Sequence, residues 1–326
     1  MTDPATQPQV NLPADAILPS DGPDGRIARW RKSDLWYSFT RNPSAILGTL
    51  VLLLLVLAAF AAPLYVPQNP YDPGQLDLLN AEIPPIWHSD GMWPFLLGTD
   101  TQGRDMLSAI LYGSRISIVI GFASVALSLA IGLMFGLFAG YFGGFTDTVL
   151  MRLGDILLSI PTILVAILVS AVARQALPAN LREIGAAGVL VLAITLAAWV
   201  QYARTVRAQT AVERKREYIA TARLLKVPAR RVMFHHILPN TLTPVFVAAT
   251  LNFGMAILTE ATLSFLGIGM PPSQPSLGTL IRLGNDFLFS GIWWVVVFPV
   301  IQLSLLVVSV NLVGDWLRDA LNPKLR

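Results

Sequence analysis

Ile46-Leu47-Gly48-Thr49-Leu50-Val51-Leu52-Leu53-Leu54-Leu55-Val56-Leu57-Ala58-Ala59-Phe60 carries no charge, and Thr49 is its only hydrogen-bonding side chain. It sits inside a longer charge-free interval, 42–71. A bilayer's hydrocarbon core takes about 20 mostly apolar helical residues to cross, and an ionised side chain placed there is costly. Five more intervals of at least 18 residues lack Asp, Glu, Lys and Arg: 116–146, 156–173, 184–203, 232–259 and 287–314. A further one, 261–281, contains Met270-Pro271-Pro272-Ser273-Gln274-Pro275. Proline does not fit a helix interior, so this interval reads as a loop at the end of a helix. The pattern predicts an all-α membrane protein with six transmembrane helices, near 44–66, 110–140, 148–173, 184–205, 240–268 and 290–315.

Composition agrees. Of 326 residues, 54% are hydrophobic and 13% charged, and the mean hydropathy is +0.60. A soluble domain carries about 25% charged residues. Zero cysteines remove disulfides, thiolate zinc sites, Fe–S clusters and thiol nucleophiles. Three histidines, His88, His235 and His236, leave little for a metal site, and none is expected. A net charge of +3 gives no ground for a nucleic-acid partner. The four lysines follow no glycine, so no phosphate-binding G-x-x-x-x-G-K-[ST] loop exists, and H-E-x-x-H and G-x-S-x-G are absent too. No catalytic residue is expected. A membrane enzyme has little to work with; a transport subunit energised by another chain fits better.

Orientation follows from Lys and Arg. With the N-terminus in the cytoplasm, the inner segments hold 18 of the 23 basic residues, nine of them between Arg204 and Arg231. The outer segments keep Arg104, Arg115, Arg174, Arg182 and Arg282. Both termini are therefore expected to be cytoplasmic, with external loops near 67–109, 174–183 and 269–289. Residues 1–43 are expected to form a disordered cytoplasmic tail, with five prolines in the first 25 residues, followed by an interfacial helix around Trp30–Phe39. The membrane domain is expected over 44–323. Ala59-Phe60-Ala61 resembles a signal-peptidase site but lies too far along the chain, so the first helix is read as uncleaved.

The longest internal polar segment, 205–239, is basic. Arg204, Arg207, Thr210, Arg214 and Glu217 recur at spacings of three or four, the solvated face of a helix. Ile219, Ala220, Ala222 and Leu225 supply an apolar side, and Lys226-Val227-Pro228 breaks the chain before a second short helix that leads through Leu238-Pro239-Asn240 into the fifth span. Two readings stay open from composition: a helix–turn–helix projecting to a partner, or a basic patch on anionic lipid.

Glu217-Tyr218-Ile219-Ala220-Thr221-Ala222-Arg223-Leu224-Leu225-Lys226, followed by His236-Ile237-Leu238-Pro239-Asn240, resembles the "EAA" coupling loop of bacterial ABC importer permeases. Leu97-Gly98-Thr99-Asp100-Thr101-Gln102-Gly103-Arg104-Asp105, Gly140-Tyr141-Phe142-Gly143-Gly144, Leu263-Ser264-Phe265-Leu266-Gly267 and Gly314-Asp315-Trp316-Leu317-Arg318 extend the resemblance from about residue 40 to the C-terminus. Together they look like the dipeptide/oligopeptide permease group, its C-type subunit, and imply the type I ABC importer permease fold. The resemblance implies that Arg216, Glu217, Ala220, Thr221, Ala222, Arg223, Lys226 and Pro239 form the ATPase-coupling loop. Ala220 stands where the motif has Glu, and Lys226 where it has Gly, at a turn that tolerates φ > 0. Ser108-Ala109 replaces the family's usual Ser-Arg.

Other residues keep two readings. Thr99 or Asp100 suits an N-cap. Asp100, Arg104 and Asp105 pair locally or meet a partner at the external loop. Asp147 is expected to cap the third span, and Arg152 and Asp155 to neutralise each other. Glu260, close to the outer end of the fifth span, either greets a peptide's amino terminus or bonds to a neighbouring helix; with Ser264 it is the candidate for the substrate path. The resemblance further implies a second, B-type permease, two ATPase subunits that bind ATP and Mg, an external solute-binding protein, and a bacterial inner membrane. No cofactor is expected in this chain. Members of the group also carry nickel, glutathione and other solutes. The competing class is an ion-coupled secondary transporter, marked by inverted repeats and midplane charges that this chain does not display.

Overall fold

Asn42 starts the first long helix: its side-chain oxygen accepts the Ala45 amide at 3.1 Å, and Pro43 fills the first turn, where no amide is needed. The computed structural model describes residues 34–178, 181–183 and 185–321; the expected tail through residue 33, together with Lys324 and Arg326, lies outside them. In chain order the helices are α1 (Asp34–Thr40), α2 (Pro43–Ala61), α3 (Met106–Phe142), α4 (Gly144–Leu158), α5 (Thr162–Ala176), α6 (Ala186–Glu213), α7 (Glu217–Leu224), α8 (Ala229–Phe265), α9 (Leu277–Asn285) and α10 (Trp294–Ala320). No strand occurs among the described residues.

Five of these helices, α2, α3, α6, α8 and α10, are each long and apolar enough to cross a membrane, and the bent pair α4–α5 is a sixth when counted as one span. That pair bends by 93°, which corrects the straight third span expected over 148–173. Pro161 has no N–H for the helix ladder and disfavours helical backbone at the residue before it, so the chain turns there. The local charges are rearranged as well. Asp155 pairs with Arg204 of α6 at 2.6 Å, not with Arg152. Asp147 receives both Nε and Nη2 of Arg207 at 2.5 Å instead of capping its own helix. These pairs tie α4 to the basic end of α6.

The central helix is α6. Of its most apolar window 61% is buried, against 28% for α2, α3 and α10. Its partner α3 presents Ser124, Ser128, Gly132, Gly136 and Gly140, one small residue every fourth position. At Gly136 an added Cβ would lie 2.5 Å from the Ala203 carbonyl oxygen, so the two backbones cross in near contact. Close approach through small residues is a common way for membrane helices to pack. Leu47, Leu50, Leu54 and Leu57 of α2 remain exposed, as lipid-facing side chains would.

Two elements differ from the expected boundaries. The second short helix expected after Pro228 and the fifth span are one continuous helix: α8 starts at Ala229 and passes through a π-helical turn, Val232–Ile237. Pro239 follows that turn, and the wider winding accommodates its missing amide and its ring. The expected external loop 269–289 contains α9, whose Leu277 and Leu280 are buried in the same core as Ile110, Val295 and Leu306.

Candidate functional site

At the basic end, α7 stands on a short polar truss. The Tyr218 hydroxyl donates to Glu213 Oε2 at 2.7 Å and accepts from Asn240 Nδ2 at 3.0 Å. Arg216 Nε meets Glu213 Oε1 at 3.0 Å, and Asn240 Nδ2 also reaches the His236 carbonyl at 3.1 Å. Glu213 is buried, so this chain of bonds locks the end of α6, the start of α7 and the root of α8 together. Burial, and then the Glu213 contact, push the Tyr218 phenol above its usual range. Arg223 lies over the Tyr141 ring, 5.2 Å from its centroid, and fixes the far end of α7 to the end of α3.

The apolar residues of α7 divide between two sides. Ile219 is fully buried and Ala222 packs beside it on Val232, Met233 and Ile237. Ala220, Thr221, Glu217 and Arg223 are exposed, and Leu224 and Leu225 are 83% and 74% exposed at the tip. Lys226 adopts φ +56°, the left-handed conformation in which glycine is at ease. Arg216 and Pro239 are also exposed. The result is a braced knob with an apolar tip.

At the opposite end, Asp105 caps α3: its Oδ2 accepts the Ser108 amide at 2.8 Å and the Ser108 hydroxyl at 2.5 Å. The N-cap is thus Asp105 and not Thr99 or Asp100. Asp100 Oδ1 accepts the Gln102 and Arg104 amides at 2.8 and 2.9 Å. Arg104 donates to Gln102 and, at 2.9 Å, to the Pro272 carbonyl, which joins this loop to the one before α9. All three charged side chains are buried within the chain, and burial pushes both carboxyl groups up from their usual range. Their bonds shape the loop from beneath its surface. Ala109 is fully buried in this packing.

Glu260 is fully buried, with the Ser117 hydroxyl donating to Oε2 at 2.6 Å and the Ser264 hydroxyl to Oε1 at 2.7 Å. Of its two readings, the geometry is that of helix packing: the carboxyl group joins α8 to α3 and faces no opening. The bundle does carry a half-open cavity of about 320 Å³ on its side, with Ser124, Ser128, Gln201, Tyr202 and Asn252 in its wall and neither Glu260 nor Ser264 among them. Reading residues singly missed it, although the four-residue repeat of Ser124, Ser128 and the glycines was the available signal. His235 and His236 are exposed. Among the described residues no group of three His, Asp or Glu could hold a metal ion.

Residues 132–326 match the family described as the binding-protein-dependent transport system inner membrane component. This chain belongs to that family. Residues 30–85 match the N-terminal transmembrane domain of oligopeptide transport permease C. The chain is 39% identical to the di/tripeptide transport system permease protein DppC of Pseudomonas aeruginosa, an alignment covering 90% of this chain and 92% of the relative. It is 40% identical to the dipeptide transport system permease protein DppC of Haemophilus influenzae, over 90% and 95% of the two chains. For the Escherichia coli K12 protein of the same name the values are 41%, 90% and 93%. As a family member it is a multi-pass ABC permease.

Proposed function

We propose that this chain is one of two membrane-spanning subunits of an ATP-driven importer of dipeptides and other short peptides in a bacterial inner membrane. The second is a related B-type permease. Two ATPase subunits bind ATP and Mg on the cytoplasmic side, and an external solute-binding protein delivers the peptide. The names of its relatives support the substrate class, and the distribution of basic residues supports cytoplasmic termini. The observation that carries the reading is α7. A chain with no nucleotide-binding sequence must receive energy by contact, and Leu224 and Leu225 are held out from the bundle on a helix braced by Glu213, Tyr218 and Asn240. An exposed apolar tip with charged flanks is the form of a docking element. Ala220, Thr221 and Arg223 sit on its outer side, while Ala222 packs beneath it.

Deleting the chain from its own cell and following labelled dialanine tests the reading. Expected is loss of dialanine uptake, restored by the intact chain, with nickel and glutathione uptake unchanged. Loss of nickel or glutathione uptake instead would move the chain to another solute of the same family. Uptake by membrane vesicles that hold an ion gradient and no nucleotide would replace the ATP-driven reading with ion-coupled transport.

A further inference from the structure

The loop at the end opposite α7 carries a dense apolar patch. Trp87 and Trp93 stand on either side of its turn, 62% and 75% exposed, and Phe289, on the segment that leads into α10, is 98% exposed. Large contiguous patches of this kind mark an interaction surface. The base of the loop is fixed. The Thr99 amide donates to the Ile83 carbonyl at 2.9 Å, the Ile86 amide to the Leu96 carbonyl at 3.2 Å, and the Trp294 indole N–H to the Thr99 carbonyl at 3.0 Å. Residues 83–99 therefore form a hairpin seated on the first turn of α10.

The height of that hairpin follows from α10. The helix carries no charge from Trp294 to Gly314, and Asp315 and Arg318 come next. Counting back from Gly314 the roughly 20 residues that cross a hydrocarbon core reaches Val295. Phe298 then lies about 5 Å inside the hydrocarbon edge, at 1.5 Å per residue. The Trp87 ring packs edge-on against Phe298 with centroids 5.9 Å apart, and Trp293 meets the same ring at 5.7 Å. Beyond Phe298, Ile301, Leu305 and Val308 follow on one face at helical spacing, and all three are exposed. Trp87 thus closes the end of an apolar stripe that runs along a spanning helix.

The chemistry of the patch narrows what covers it. Indoles, with an apolar body and one N–H, collect at the boundary between hydrocarbon and headgroups. Trp294 gives its N–H to Thr99, but those of Trp87, Trp93 and Trp293 have no partner among the described residues. Lipid ester oxygens at that depth can accept them. No Lys or Arg lies between Arg41 and Arg104, so nothing in the hairpin selects an anionic headgroup. The turn itself, His88-Ser89-Asp90, is polar and exposed and stays on the water side.

We propose that hairpin 83–99 is a membrane anchor, with Trp87, Trp93, Trp293 and Phe289 seated in the uncharged interfacial layer of the leaflet opposite the basic end. In the orientation proposed above this is the outer leaflet. The anchor sets the height of the external loop that Arg104 joins to the one before α9.

The chain has no cysteine, so Trp87→Cys and Trp93→Cys each give one site for an environment-sensitive fluorophore. The complex of permeases and ATPases, its other subunits freed of cysteine, is placed in phosphatidylcholine nanodiscs with or without lipid that bears a nitroxide near the top of its acyl chain. Iodide is the aqueous quencher, and a probe at Ser273 is the reference for water. Nitroxide lipid should quench the probes at 87 and 93 about twofold while sparing the one at 273, and iodide should quench them about threefold less. Adding phosphatidylglycerol should change neither value. Met92→Cys, between the two indoles, gives the same readout if a Trp variant fails to assemble. Iodide quenching equal to that at Ser273 would put the hairpin in water and overturn the anchor. A probe that neither quencher reaches would overturn it too. Such shielding in the complex alone assigns the patch to the second permease, and shielding that appears only on adding the solute-binding protein assigns it to that protein. Both faces of a nanodisc are open, so the outcome depends neither on the orientation nor on the solute carried.

Discussion

Two serine hydroxyls at 2.6 and 2.7 Å hold the Glu260 carboxyl group in a place with no exposed surface, so its removal is a packing event before it is a transport event. Glu260→Gln keeps the shape and can still pair with both hydroxyls, since a serine turns its proton to suit the neighbour. Glu260→Ala leaves the Ser117 hydroxyl unpaired and the Ser264 hydroxyl, which still accepts the Met270 amide, without its acceptor beside a void, and should cost about 2–5 kcal/mol. Thermal unfolding of the purified complex should thus separate the two, with the Ala variant unfolding several degrees lower and losing its partners while the Gln variant stays near wild type in Tm and uptake. Abolished uptake by an intact, fully stable Gln variant would return the carboxylate to the substrate path. The position of Glu260 near a helix end was legible from residue counting, but its partners were not, because Ser117 lies 143 residues away. Lys226 is the opposite case: its positive φ could be anticipated, since the motif it departs from places a glycine there.

For α7, the existence of a helix–turn–helix was readable from polar spacing and from Pro228, while its outward side was not. Ile219, Ala220, Ala222 and Leu225 form an apparent apolar set, yet only residues three or four apart share a helix face. Ile219 and Ala222 turn inward together, and Ala220 falls about 100° away from Ile219. Small alanines at 220 and 222 therefore have different work. Ala220→Trp puts bulk on the proposed docking side and should give a chain that inserts and unfolds normally but retains few ATPase subunits on purification. Ala222→Trp overfills the core under α7, a change that typically costs about 1–3 kcal/mol, and should lower the Tm of the chain itself. ATPase retention unaffected by Ala220→Trp would remove α7 as the coupling element. The bent pair α4–α5 shows the same limit. The charge-free interval 156–173 is long enough to span, so length hid a bend that Pro161 was already announcing.

Across the whole molecule, orientation is the property that helix packing leaves open and charge decides. The described basic end contains α7, the start of α8 and the ion pairs of Asp147, Asp155 and Glu213. The other end contains two loops that are joined directly, by Arg104 Nη2 to the Pro272 carbonyl at 2.9 Å and by the Tyr71 hydroxyl to the Pro275 carbonyl at 3.2 Å. Ser89 and Ser273 are both exposed on those loops, and Lys215 is exposed beside α7, whereas Thr210 is fully buried and useless as a reporter. Single cysteines at Ser89 and Ser273 should react with a membrane-impermeant maleimide in intact cells, and one at Lys215 only after the membrane is opened. Because the two loops are bonded to each other, their cysteines must report the same side. The reverse pattern would overturn the orientation taken from basic residues and leave the fold standing. A split between Ser89 and Ser273 would contradict the loop packing itself, since no single placement of this bundle puts them on opposite faces of a bilayer.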